Sequence, residues 1–121
     1  MDPQPSNGVL EVERREDVLI ARFTCPAVSL CGELAQEVGD RFVSLLSGTG
    51  PQRLLVDFGN VHDLTSFMLG QLVRVNRTAQ AAGRQFALFN LQPPVREVLE
   101  VSRLNLLLTL CEDEPAAMHC G

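Results

Sequence analysis

The feature that most constrains this chain is an alternation of short apolar runs with longer segments of helical periodicity. Val18-Leu19-Ile20-Ala21-Arg22-Phe23, Arg53-Leu54-Leu55-Val56-Asp57-Phe58, Gln85-Phe86-Ala87-Leu88-Phe89 and Leu106-Leu107-Leu108-Thr109-Leu110 each have the length of one strand. Runs that are apolar in their middle and flanked by helices suit strands buried on both faces. Between the first two, Leu34, Val38, Phe42 and Leu45 recur at helical spacing opposite Glu33, Glu37, Asp40 and Arg41, with Gly48, Gly50 and Pro51 as the stop. The spacing predicts a second helix that starts near Leu64-Thr65-Ser66, faces Leu69, Leu72, Val73, Asn76 and Ala79 inward and stops at Gly83. Pro93-Pro94 introduces a third over Val95 to Val101, and Glu112-Asp113-Glu114-Pro115 opens a short last one.

Ahead of these units, Val9 to Glu13 alternates apolar and acidic residues as an edge strand does. It joins the Val18 run through a charged turn, Arg14-Arg15-Glu16-Asp17, so a hairpin opens the domain. Pro26 breaks the second strand, and Val28 to Cys31 reads as an irregular connection. The order ββαβαβαβα implies an α/β fold: a mixed, mainly parallel β-sheet with an N-terminal antiparallel hairpin and covering helices. The length of 121 residues suits one domain. Its expected bounds are 9–118, after a Pro-, Ser-, Asn- and Gly-rich tail over 1–8 and before a frayed end at 119–121.

Composition narrows the chemistry. Formal net charge is −5, which provides no attractive field for nucleic acid or for an anionic bilayer. All 10 basic residues are Arg, so lysine Schiff bases and the P-loop lysine are excluded. With Trp and Tyr absent, base-stacking platforms are not expected either. Cys25, Cys31, Cys111 and Cys120 form no C-x-x-C pair, and Met1-Asp2-Pro3-Gln4-Pro5 does not begin a secretory signal. The cysteines are therefore expected to be reduced and the protein cytoplasmic, with no apolar stretch for direct membrane insertion.

Enzymatic readings find little purchase. Asp57 at a strand end invites comparison with a phosphoaspartate receiver, but Thr24-Cys25 supplies no acidic pair and the chain has no Lys. Asp57 is expected instead to close its strand or bond the following turn. Neither His62 nor His119 lies in a hydrolase motif, and Cys111, His119 and Cys120 have the wrong spacing for common zinc sites. No enzyme activity, cofactor or metal is expected.

The stretches Leu55-Val56-Asp57-Phe58-Gly59-Asn60-Val61, Leu64-Thr65-Ser66-Phe67-Met68-Leu69-Gly70 and Asn90-Leu91-Gln92-Pro93-Pro94 through Leu104, in this order, resemble the STAS family. These domains are shared by sulfate transporters and anti-sigma factor antagonists. Thr65 stands where the family often has Asp before its switch hydroxyl. The resemblance implies that Ser66, with Thr65 as the alternative, is phosphorylated by a partner kinase that is often itself the anti-sigma factor. It implies a binding module that holds this partner when unmodified and releases it when phosphorylated. The other role it implies is that of a non-switching scaffold subunit in a stress-sensing or transporter complex. The expected partner face comprises Thr65, Ser66, Phe67, Met68, Gln71 and Arg74, and the oligomeric state is monomer or weak dimer. From the residues alone, Ser66 fits either a helix cap or a phosphoacceptor, and Phe67 and Met68 fit either core or interface.

Overall fold

The computed structural model describes residues 10–24, 28–47 and 52–119. The tail, Val9, Cys25, Cys120 and the glycines expected to stop the first helix lie outside the described residues. Strands β1 (Leu10–Arg15) and β2 (Val18–Phe23) form the opening hairpin, turning at Glu16 with φ of 53°. Then follow β3 (Val28–Leu30), α1 (Gly32–Leu45), β4 (Arg53–Asp57), β5 (Val61–Leu64) and α2 (Ser66–Ala81). The chain ends with β6 (Gln85–Phe89), α3 (Pro93–Val101), a 3-10 turn (Leu104–Leu106), β7 (Thr109–Cys111) and α4 (Glu114–His119).

The main sheet has the order β1-β2-β4-β6-β7, antiparallel only at the hairpin. Its register places Leu54 between Leu19 and Phe86, and Val56 between Ala21 and Leu88. Side chains alternate across a strand, so these residues share one face. There they pack with Val38 and Phe42 of α1, Met68, Leu72 and Val75 of α2, and Val95 and Leu99 of α3. The intervening residues Val18, Ile20, Leu55, Ala87 and Phe89 point the other way and meet Ala117 of α4. Burial on both faces is why the strand sequences are almost uninterruptedly apolar.

Side chains from distant elements finish the helix ends. Arg84 Nη1 donates to the Leu46 carbonyl at 2.6 Å, satisfying an end of α1, and Arg53 donates to the Ala117 and Met118 carbonyls of α4. The hairpin is tied to α4 by a charge cluster: Arg22 bonds Glu13 at 2.9 Å and Glu114 at 2.6 Å, while Arg15 bonds Glu13 at 2.6 Å and Glu114 at 3.0 Å.

The expected order stands, with local corrections. Val28–Leu30 is not irregular; it pairs in parallel with Val61–Leu64 to make a small two-stranded sheet. The backbone of these segments finds its partners there, although His62 and Asp63 are polar and exposed. The expected strand over Leu106 to Leu110 is mostly a turn. Arg103 adopts a left-handed conformation (φ 65°), and the Leu107 and Leu108 amides bond back to the Leu104 carbonyl, so pairing resumes only at Thr109.

Candidate functional site

The start of α2 is built by β3 and β5. Parallel pairing sets Leu30 against Leu64 and delivers the next residue, Thr65, beside the Leu30 carbonyl, which its amide bonds at 3.2 Å. Thr65 is extended (φ −93°, ψ 169°) and caps the helix: its Oγ1 accepts from the Met68 amide at 3.5 Å and donates to the Leu30 carbonyl at 3.4 Å. From the sequence alone, Ser66 fits that cap as well as it fits a phosphoacceptor. The structure assigns the task to Thr65 because only Thr65 sits on the non-helical side of the junction, and Ser66 becomes the first helical residue, exposed to solvent.

The rest of the expected face divides sharply. Phe67 is 47% exposed and Arg74 is exposed, so both stand at the surface. Met68 is completely buried and Gln71 retains only 9% of its surface, so neither presents a side chain to a partner. Met68 lies on the stripe Met68, Leu72, Val75 and Ala79 that packs on the sheet. That stripe includes Val75, and it leaves Leu69 and Val73, expected inside, only half-buried.

Gln71 is buried because α1 and α2 approach closely at Gly39. A Cβ there would lie 2.2 Å from Gln71 Oε1. Arg74 Nη1 donates to Gln71 Oε1 at 2.9 Å and to Asp40 Oδ1 at 2.9 Å, and Gln36 Nε2 donates to the same carboxylate at 3.1 Å. The Arg74 hydrogen bond, followed by that from Gln36, holds the Asp40 carboxyl below its ordinary range. This latch fixes α2 on α1 behind the exposed first turn. Gly32, Glu33, Gln36 and Phe67 line an open groove of ≈ 430 Å³ between the two helix starts. Glu33 and Gln36 thus join Phe67 at this groove, while Gly39 and Asp40 meet Gln71 and Arg74 at the helix seam, and no local sequence signal marks any of them for it.

Asp57 does what a strand-ending Asp was expected to do: its Oδ1 accepts from the Gly59 amide at 2.8 Å and from Asn90 Nδ2 at 3.3 Å. With Arg22, Phe23, Gly59, Asn60 and Asn90 it lines a second cavity of ≈ 210 Å³ at the strand ends. Among the described residues, no helix is long and apolar enough to cross a membrane.

Comparison with known proteins places these features in a wider group. A search of curated protein sequences finds no match. Solved structures share the fold. A STAS-domain anti-sigma-factor antagonist protein from Planctomyces limnophilus superposes with a TM-score of 0.76 at 20% identity, covering 89% of this chain and 93% of that one. The anti-sigma factor antagonist SpoIIAA in its unphosphorylated form gives 0.73 at 16% identity, covering 89% and 92%. The Bacillus cell fate determinant SpoIIAA in its phosphorylated form gives 0.68 at 15% identity, covering 93% and 99%. The family model described as "Mlab, STAS domain" matches residues 20–109, which run from β2 through the start of β7. Together with the hairpin-led sheet and its covering helices, that match shows that the chain belongs to the STAS domain family.

Proposed function

We propose that this STAS domain is a cytoplasmic regulatory binding module of the anti-sigma factor antagonist type, switched by phosphorylation of Ser66 by a partner kinase. The observation that carries the reading is the division of labour between adjacent hydroxyls. Thr65 is engaged as the cap, so capping no longer accounts for Ser66, whose side chain is solvent-exposed in the first turn. Thr65 is the poorer acceptor because modification would disturb its bonds to Met68 and Leu30. The names of the structural relatives support the same reading: they include anti-sigma factor antagonists, one solved with and without phosphorylation.

The physics is local. A phosphate brings about −1.5 to −2 charge and strong acceptor oxygens. The first turn of α2 holds no acidic residue, so its dipole and free amides are available to favour that charge by ~0.3–1 kcal/mol. The domain therefore tolerates the modification. A partner seated on Phe67 and the neighbouring groove does not, because a strongly hydrated dianion then stands inside the contact. Losing ~3–4 kcal/mol there weakens binding by two to three orders of magnitude. Release needs no rearrangement of the domain.

The test is affinity capture from the native host with wild-type, Ser66→Ala and Ser66→Asp baits, joined to phosphosite mass spectrometry. Alanine should retain the partner kinase and aspartate should lose it, with phosphate found on Ser66 of the wild type. Equal capture by all three would instead make the chain a permanent scaffold subunit.

A further inference from the structure

The two faces of the main sheet are covered in unequal ways. On one, α1, α2 and α3 bury large side chains, among them Phe42, Met68, Leu72 and Leu99. On the other, Val18, Ile20, Leu55, Ala87, Phe89 and Cys111, from four adjacent strands, are all buried. Among the described residues, the helix packed on them is α4. A helix of six residues is too short to persist without tertiary support. Yet α4 anchors itself with little apolar surface. Ala117 is buried and Met118 half-buried, while Pro115, Ala116 and His119 are exposed.

What holds α4 is polar. Glu114 accepts from Arg22 Nη2 at 2.6 Å and from Arg15 Nη1 at 3.0 Å, and Arg53 donates to the Ala117 and Met118 carbonyls. Side-chain exposure is 28% for Glu114, 29% for Arg22 and 44% for Arg15, so water and salt reach both ion pairs. Neither arginine depends on α4 for a partner. Glu13 also bonds Arg15 at 2.6 Å and Arg22 at 2.9 Å, and Asp57 Oδ2 lies 3.9 Å from Arg22 Nε. Withdrawing Glu114 therefore leaves two arginines facing two carboxylates, with no charge stranded. Arg53 is half-buried, so water can take the place of the two carbonyls. An element with few buried apolar contacts and exposed polar ties opens at lower free energy than the packed core. We propose that α4 is a releasable strap with Glu114 as its clasp. It detaches as a unit while the sheet and the other three helices stay folded, and it uncovers the apolar sheet face and the Cys111 thiol. Because α4 and α2 pack on opposite faces, the strap works independently of Ser66.

The test uses the full chain carrying Cys25→Ser, Cys31→Ser and Cys120→Ser, so that Cys111 is its one thiol. N-ethylmaleimide, an uncharged reagent, labels that thiol in native buffer, and urea melts of the same protein give the global unfolding equilibrium. Cys111 should label about tenfold or more faster than global unfolding allows. The rate should hardly change with urea below the transition, since a local opening exposes little surface. Adding Glu114→Gln should speed labelling about three- to tenfold, the effect of losing two exposed ion pairs. Raising NaCl from about 20 mM to about 500 mM should speed it with Glu114 present and hardly at all without it. Fraying of β7 alone would expose the thiol without regard to Glu114. In the unaltered chain, amides over 116–119 should exchange hydrogen ahead of those in β4 and β6. Labelling that ignores Glu114→Gln or salt, labelling that tracks global unfolding in rate and urea dependence, or equal amide protection of α4 and the sheet would each overturn the proposal.

Discussion

Thr65 and Ser66 are neighbours with nearly the same chemistry and different energetic roles. Removing the Thr65 hydroxyl deletes the cap of α2, so Thr65→Ala should lower the unfolding free energy by about 1 kcal/mol. Ser66→Ala should stay within about 0.5 kcal/mol of wild type, because an exposed first-turn hydroxyl holds nothing together. Urea denaturation of the two variants measures the difference, and the reverse ranking would return the capping role to Ser66. The sequence carries the signal that a hydroxyl opens this helix. It does not say which, since Ser and Thr are both favoured at the cap. The choice rests on the Leu30 carbonyl, brought up by a strand 35 residues away in sequence.

Between elements, the decisive contact is the seam of α1 and α2. Gly39 is there because Gln71 fills the space a Cβ would need. Gly39→Ala should destabilise the domain by ~1–3 kcal/mol despite the better helix propensity of Ala, as overpacking does. Pairing it with Gln71→Ala, which vacates the space, should recover part of that loss, and a double-mutant cycle in denaturant reads the coupling. Additive effects would show that the seam can relax. The helical spacing of Leu34, Val38, Phe42 and Leu45 made α1 legible, and short apolar runs made β2, β4 and β6 legible. Gly39 and Gln71 were not, because a polar residue on a helix reads as outward until a neighbouring helix is known to lie over it. Strands β3 and β5 were hidden for a related reason: segments so short and partly polar become strands only by pairing with each other.

At the scale of the whole molecule, Glu13, Arg15, Arg22 and Glu114 join the first hairpin to the last helix. Hydrogen bonds from Arg15 and then Arg22 hold the Glu13 carboxyl below its ordinary value of 4.5. A depressed folded value means the contribution is complete above 4.5 and disappears as pH falls through the lower folded value. The melting temperature of the wild type should therefore fall across that acid window, and Glu13→Gln should flatten this part of the profile. An identical acid slope in the variant would show that the cluster adds nothing to closure. Because Glu13 is exposed, added salt should mute the effect.

Periodicity and turn residues were enough to establish an α/β domain of hairpin-led, mainly parallel topology and to locate the hydroxyl-bearing start of its second main helix. Those properties follow from local spacing and side-chain chemistry, which a linear string records. Tertiary structure alone decided that Thr65 caps while Ser66 faces water, that Met68 and Gln71 lie inside, and that the leucines after Arg103 stay outside. Each of those outcomes depends on what another segment places within a few ångströms, and that proximity exists only after the chain has folded.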